Sequence, residues 1–490
     1  MLSHTIGTMD SKPLNLKAVF STHPYAKTIL NKLDHHGYEA VLVGGVVRDI
    51  VRAQLHGQPN FAPPDIDIAT EATPDQVKLV FPDWPIIDVG KSFGVLMLTT
   101  PDGHRYEIAS YRTESDYDGR KPGQVELVRS LELDVQRRDF TINGLALGLD
   151  GVIIDHVDGL IDLQQNLIRT IGNPNDRFSE DYLRMLRAVR FACKLEAFID
   201  DATADAIRKH ASGLVSISQE RIREELFKIF STNQSRRGFD LLSDLHLLIH
   251  FLPEIEQLKD VPQPKKYHPE GDVYVHTLLA LKWADQLKLS PLSKLAVLLH
   301  DIGKPQALIN NKGEHMGGHD HIGEKMVEHI GQRMKLSNSE IHTLKFTTRE
   351  HMRIAQLPRM TPNHQLRFLK SGIDQDHASE LPASESDFKT LMEVLLCDAQ
   401  ASAHQSEAWL PVLQTLPDCL MRLHDIEQLE SAHALLNGHD LIKMGLKPGP
   451  QIGELLEKIY DQIFAGTIQS REQALQAAQL KLKDVSKSHL

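Results

Sequence analysis

A single change of hydrophobic period divides this chain. From about Ala40 to Ile171, short β-branched runs (VLVGGVV, DIDIAT, GVLMLTT, RYEIASY and GVIIDHV) are bounded by Gly, Pro and Asp and interrupted by helical stretches. Beyond Gly172-Asn173-Pro174 the apolar residues recur at i, i+3 and i+4, with almost no strand signal to the C-terminus. Side chains alternate across a strand but share a helix face every three to four residues, so the switch predicts an α+β unit followed by an all-helical remainder. With 490 residues, the chain exceeds what one hydrophobic core organises, and about three domains are expected. Pro- and Gly-rich breaks at 261–272, near Pro417 and at 446–453 punctuate the helical part, and no internal repeat is evident.

Composition narrows the class. Apolar residues make up 41% and charged residues 24%, which excludes a disordered, collagenous or coiled-coil chain. Cys193, Cys397 and Cys419 are too few and too scattered for a disulfide framework or a cysteine zinc site, so a reducing compartment is expected. The N-terminal segment lacks an apolar signal core, and no run approaches the roughly 20 apolar residues that span a bilayer. A cytoplasmic protein without a membrane partner is expected. The net charge of −12 argues against a polyanionic ligand at long range, but Arg177 to Gly238 carries 12 Lys+Arg against 9 Asp+Glu, a local excess of +3 (12 − 9) able to hold phosphates.

Leu42-Val43-Gly44-Gly45 ends an apolar strand, and Val46-Val47-Arg48-Asp49 begins a helix. Two glycines at such a turn let backbone N–H groups approach phosphates beside the positive helix end. In Asp65-Ile66-Asp67-Ile68, strand alternation sets both carboxylates on one face and both isoleucines on the other. Paired acids opposite a phosphate turn suit two Mg²⁺ ions that activate a hydroxyl and stabilise a leaving pyrophosphate. Gly90-Lys91-Ser92 ends like a P-loop, but the spacing requires glycine at position 85, which is Pro85. Arg138 and Asp139, in DVQRRDFTIN, can fix a triphosphate and a ribose hydroxyl respectively. In EDYLRMLRAVR, a continuous helix would make Asp181 and Arg184 i, i+3 neighbours, with Arg187 and Arg190 extending a basic stripe.

In order and spacing, GGVVRD, DIDIAT, RRDFTIN, EDYLR and ISQERIREELFKIF resemble the successive motifs of class II tRNA nucleotidyltransferases, the CCA-adding enzymes among them, from about residue 36 to 260. The resemblance implies that Asp65 and Asp67 hold the metals. It also implies that Gly45, Arg48, Arg138, Asp181, Arg184, Arg187 and Arg190 contact nucleotide, with Gly44 completing the turn and Glu107 as a third acid. The substrates it implies are CTP, ATP and the tRNA 3′ end. An aspartate accepts from the exocyclic amino group that cytosine and adenine carry and uracil and guanine lack at that edge, so Asp181 with Arg184 would replace a template. Bacterial poly(A) polymerases share this head but typically carry a Gly-Arg-Arg-Phe-like segment where this chain has Gly90-Lys91-Ser92-Phe93, which favours CCA addition over poly(A) addition. Full CCA addition and A-only addition, alongside a separate CC-adding enzyme, both remain open. The segment from Arg112 to Pro122, with Asp118, Gly119 and Arg120 at its centre, resembles the flexible loop that CC-only enzymes lack. Charged and without apolar anchors, it is the expected lever between cytosine and adenine. Gly144 stands where the family has alanine.

Of 26 histidines, nine lie between His268 and His351. His276, His300-Asp301, His319, His351 and Asp398 follow in the order of the HD superfamily of metal-dependent phosphohydrolases. That resemblance implies metal ligation by His276, His300, Asp301 and Asp398, with His319 and His351 auxiliary, around a divalent transition metal or Mg²⁺. A separate zinc site of His315, His319 and His321 is disfavoured by Gly317-Gly318 between them. The expected architecture is α+β: a polymerase-β-like nucleotidyltransferase head, an all-α neck, an HD domain and a helical tail. In numbers these are an extension at 1–35, the head at 36–172, the neck at 173–260, the HD domain at 261–425 and the tail at 426–490. These motifs do not encode the oligomeric state.

Overall fold

The computed structural model describes residues 13–487 apart from 59, 91–92, 120–121, 265–267, 372–384, 403–406, 408 and 465–466. Lys91 and Ser92 of the rejected P-loop and Arg120 of the predicted loop lie outside the described residues.

The head is built on a seven-stranded mixed sheet. Its strands are β1 (Ala40–Val43), β2 (Asp67–Thr70), β3 (Ile86–Gly90), β4 (Val95–Thr99), β5 (Arg105–Ser110), and the later pair Ala146–Leu147 and Ile153–Ile154. Their spatial order is β3-β4-β5-β2-β1, then the two short strands. β2 and β5 run parallel, with Asp67 level with Glu107, and β1 and β2 are antiparallel. This register sets the acids of two neighbouring strands at one end of the sheet. The hairpin β6 (Arg112–Ser115) and β7 (Gln124–Leu127) projects from the same side.

DIDIAT is extended for a shorter stretch than its pattern suggests, because β2 begins at Asp67 and Asp65 precedes it. The alternation nevertheless persists, with Ile66 and Ile68 buried and both aspartates open to solvent. Gly44 links β1 to helix α1 (Gly45–Leu55) at φ +72°, a conformation that favours glycine. A β-carbon there would lie 3.4 Å from Arg138 Nη1 and 3.9 Å from Asp67 Oδ2, so the bare turn also keeps that corner open. At Gly144, an added methyl would come within 2.7 Å of Val157 and 3.0 Å of Val135, which explains why this chain has glycine where its resembled family has alanine.

The neck follows Asn173, whose side chain caps helix α2 (Pro174–Glu180), a helix with proline in its first turn. Helix α3 (Leu183–Leu195) packs on α4 (Gln219–Phe230) and α5 (Ser235–Asp244). One correction concerns Asp181. It is not on a helix with Arg184 but in the break between α2 and α3, with extended φ/ψ of −149° and 105°. Its Oδ1 accepts from the Leu183 N–H at 3.0 Å, satisfying one of the orphan donors that open α3. The helical remainder also includes one small exception, Phe198–Ile199, which pairs in parallel with Leu167–Ile168.

The HD region contains α6 (Val273–Gln286), α7 (Pro291–Leu299), α8 (Lys304–Asn310), α9 (His319–Arg333), α10 (Asn338–Ile354) and α11 (Glu385–Ala401). A continuous apolar core runs from the head through the neck into these helices, while the tail buries its own cluster around Leu436, Leu441, Ile459 and Ala474. Among the described residues, no helix is long and apolar enough to cross a membrane.

Candidate active site and metal centre

Head and neck enclose a cleft of about 530 Å³ lined by Gly44, Gly45, Arg48, Asp67, Glu107, Arg138, Asp139, Asp181, Arg184, Arg187 and Arg190. Of the predicted transferase residues that are described, Asp65 and the loop residues Asp118 and Gly119 are not in this wall. Asp65 is nevertheless a near neighbour. It lies close enough that its charge raises the Asp67 carboxyl. Desolvation by the cleft walls is the larger cause of that rise, and Arg138 opposes it. Desolvation and the Asp67 charge likewise raise Glu107, against Arg112. Asp67 and Glu107, level with each other and each raised by burial and a neighbouring carboxylate, with Asp65 beside them, form an oxygen donor set that fits a hard divalent cation.

The arginines are ordered by carboxylates. Arg48 donates to Asn143 Oδ1 at 2.7 Å and pairs with Asp49 at 2.8 Å. Arg138 donates to Asp134 Oδ2 at 2.9 Å, and Arg137 holds the other oxygen at 2.7 Å. Asp139 accepts from Arg187, from the Asn143 side chain and from the Phe140 N–H. Burial alone would raise its carboxyl, but these donors, with Arg187 foremost, hold it at about 2. Arg190 pairs with Glu225 of α4 at 2.7 Å. Asp181 Oδ2 accepts from Arg221 at 2.9 Å. Arg184 binds Glu180 and donates to the carbonyls of Arg177 at 3.0 Å and Arg137 at 3.3 Å.

Sequence reasoning held Arg112, Glu114, Arg137, Asn143, Arg221 and Glu225 only as members of motifs and gave them no role. Each pairs with a residue 23 to 95 positions away or links two motifs, so local spacing carries no signal for them. The loop expected to lack apolar anchors is docked. Tyr182 N–H donates to the Gly119 carbonyl at 3.1 Å, and a β-carbon on Gly119 would meet the Tyr182 ring at 2.7 Å. Asp118 is exposed beside it.

The second cluster lies at the meeting of α6, α9, α10 and α11 with the segment that follows α7. His276 Nε2 is 2.9 Å from Asp398 Oδ1 and 3.9 Å from Asp301 Oδ2. His300 Nε2 is 3.2 Å from Asp301 Oδ2, while His319 and His351 approach the other oxygen, Oδ1, at 3.4 and 3.6 Å. All six predicted residues are therefore brought together. His300 Nδ1 is occupied by the Val297 carbonyl at 2.7 Å, and its buried Nε2 makes no hydrogen bond. An orphaned imidazole nitrogen facing a carboxylate is a donor that a divalent metal would satisfy, and the mixed His/Asp set fits one. Lys304 donates to Asp301 at 2.6 Å, and Gly303 crosses so close to α9 that a β-carbon would meet the His319 carbonyl. Glu270 was not anticipated. It accepts from His276 Nδ1 at 2.7 Å and lies 2.9 Å from His268, so it fixes the His276 ring. His315 Nδ1 accepts from the Gly317 N–H at 3.1 Å, and His321 Nδ1 lies 3.2 Å from Asp320.

Comparison with known protein families matches four segments of the chain. Residues 40–169 match the Poly A polymerase head domain, 198–259 the RNA and SrmB-binding region of polymerase A, 273–375 the HD domain, and 392–478 a tRNA nucleotidyltransferase domain 2. A CCA-adding enzyme of Limosilactobacillus reuteri is 49% identical over 216 residues, 44% of this chain and 50% of that enzyme, so the match spans half its length. One from Pediococcus pentosaceus is 31% identical over 470 residues, covering 94% of this chain and 98% of that enzyme. The Bacillus stearothermophilus CCA-adding enzyme in complex with CTP superposes with a TM-score of 0.55 at 25% identity, over 95% of this chain and 99% of that one. Full-length similarity at this level, carried on a polymerase-β-type head and an HD helical region, establishes that the chain belongs to the CCA-adding enzyme family of tRNA nucleotidyltransferases.

Proposed function

We propose that this protein adds CMP and AMP, taken from CTP and ATP, to the 3′ end of tRNA without a nucleic-acid template. One observation carries the reading: Asp67, Glu107, the glycine turn, Asp181 and Arg184 line a single cleft, with Asp65 near Asp67. Asp65, Asp67 and Glu107 would hold the divalent ions, Mg²⁺ by the hardness of the donors. The chemistry such ions would supply there is activation of the tRNA 3′-hydroxyl and charge stabilisation of the departing pyrophosphate. The protein's own groups do the rest. The open Gly44-Gly45 turn, Arg48 and Arg138 bind the triphosphate, and Arg187 and Arg190 give the cleft the cationic wall that draws it in. Asp181 accepts from the amino group of cytosine or adenine. Three of the five Arg184 N–H donors are engaged by Glu180 and two carbonyls, which leaves, among the described residues, Nε–H and one Nη2–H for ring acceptors of the base.

The HD cluster would bind a divalent transition metal or Mg²⁺ and hydrolyse a phosphoester, with His276, His300, Asp301 and Asp398 as ligands and His319 and His351 beside them. Glu270 and the Val297 carbonyl orient the first two imidazoles.

The transferase reading is tested by Asp67→Asn. CMP incorporation into tRNA lacking CCA should fall by at least about 1,000-fold while tRNA affinity stays within about threefold, because the acid positions metal and not RNA. Turnover near that of the parent would remove the metal assignment.

A further inference from the structure

Arg184, Glu114 and Arg137 of the cleft wall close into a ring with Tyr117. The Arg184 guanidinium lies over the Tyr117 ring, 5.8 Å from its centroid. The Tyr117 hydroxyl donates to Glu114 Oε2 at 2.6 Å. Glu114 Oε1 accepts from Arg137 Nη1 at 2.9 Å and from Arg112 Nε at 2.8 Å, and the Arg137 carbonyl accepts from Arg184 Nη2 at 3.3 Å. Tyr117 therefore has two fixed ends. Its hydroxyl is tied to a half-buried carboxylate that two arginines already hold, and its face meets the guanidinium that faces the incoming base.

Hydrogen bonds to Glu180 and two carbonyls occupy one edge of Arg184, but in-plane contacts alone leave the guanidinium free to tilt about that edge. A π-face on one side resists the tilt, because cation–π attraction is strongest with the cation over the ring. The segment from Arg112 to Gly119 thus does more than link two strands. It carries the surface on which the base-reading arginine rests.

We infer that Tyr117 is a specificity-determining positioning residue: through its ring it fixes the plane of Arg184, and so the direction of the two N–H donors offered to the base. The inference rests on the reading that Asp181 and Arg184 select the nucleotide. Tyr117 touches neither the metals nor the triphosphate, so its removal should act on base choice more than on chemistry.

The experiment measures kcat/KM for CTP and UTP on tRNA lacking CCA, and for ATP and GTP on tRNA ending in CC, for the parent, Tyr117→Leu, Tyr117→Gln, Tyr117→Phe and Arg184→Ala. Both ring-free variants should lose roughly 3- to 30-fold of CTP-over-UTP and ATP-over-GTP discrimination, the span of a cation–π contact. Tyr117→Phe keeps the π-face and should recover most of that loss. A purely structural role would lower all four rates together and leave the ratios unchanged. Thermal unfolding midpoints and tRNA affinity, measured on the same preparations, identify any variant that fails to fold, and the other ring-free variant then decides. If Arg184→Ala relaxes base choice while both ring-free variants discriminate within twofold of the parent, the role of Tyr117 is overturned. If Arg184→Ala itself discriminates like the parent, the base-reading assignment has failed and the inference falls with it.

Discussion

Arg187 of the neck grips Asp139 of the head through two donors, Nε at 2.8 Å and Nη2 at 2.5 Å from one carboxylate oxygen. The other oxygen accepts from Asn143, whose own carbonyl oxygen accepts from Arg48 beside the glycine turn. A single polar chain thus joins helix α3, which carries Arg184, to the Gly44-Gly45 turn, so the two parts of the cleft are held in register.

This chain predicts an acid limb in stability. The Asp139 carboxyl is held at about 2 in the folded protein, below the ordinary carboxylate value. A depressed folded value stabilises above the unfolded value, and the benefit is lost as pH falls from about 4 to about 2. Asp139→Asn should therefore cost about 2 kcal/mol near neutrality, with the gap to the parent narrowing below about pH 4. Urea unfolding at several pH values checks this, and a gap independent of pH would contradict it.

Lys294 is fully buried where neck meets HD region, with Nζ 2.8 Å from Asp285, 2.6 Å from the Phe230 carbonyl and 2.9 Å from Asn233 Oδ1. Removing one partner of a buried pair leaves an uncompensated charge, which costs about 3–5 kcal/mol. Lys294→Met should be destabilised by that order, and Lys294→Met with Asp285→Leu should recover part of it. Equal losses in the single and double variants would show that packing, not charge, holds the junction.

Much of this arrangement was legible in the sequence, for identifiable reasons. The Asp65/Asp67 alternation, the Gly44-Gly45 turn and the ordered His and Asp residues are local patterns; the structure sets Asp67 and the glycine turn in one cleft, with Asp65 near Asp67, and draws the His and Asp residues into one cluster. Glu225 under Arg190, Arg221 on Asp181 and Glu270 behind His276 were not legible as a network, because each partner arrives by tertiary packing. The break before Leu183 also escaped. An aspartate that caps a helix and one that sits inside it look alike in apolar periodicity, so Glu180, not Asp181, became the partner of Arg184. The loop misled for a related reason: its anchors are Tyr117 and a bare glycine against Tyr182, and neither reads as an apolar patch.

At the HD cluster, Asp301 offers one oxygen to His300 and the other to His319 and His351, so it is the centre of the donor set. Asp301→Asn should lower bound divalent metal at equilibrium dialysis by at least about tenfold in affinity, and Glu270→Gln by about 10- to 100-fold. Metal content unchanged in both would remove the centre.

Excising 115–121 removes the Tyr117 face and the Gly119 carbonyl that Tyr182 grips. AMP addition to tRNA ending in CC should drop by at least about 100-fold, with CMP addition less affected, because adenine requires the larger re-aiming of Asp181 and Arg184. AMP addition at the parental rate would place the switch elsewhere.

The most direct test is a single product ladder. The protein is incubated with tRNA lacking CCA, tRNA ending in CC and a generic RNA, with CTP alone, ATP alone and both, and products are resolved to one nucleotide. The account predicts two added residues from CTP on the first substrate, one from ATP on the second, three from the mixture on the first, and none on generic RNA. Extension by ATP alone on generic RNA, or no extension by CTP on any substrate, would contradict it.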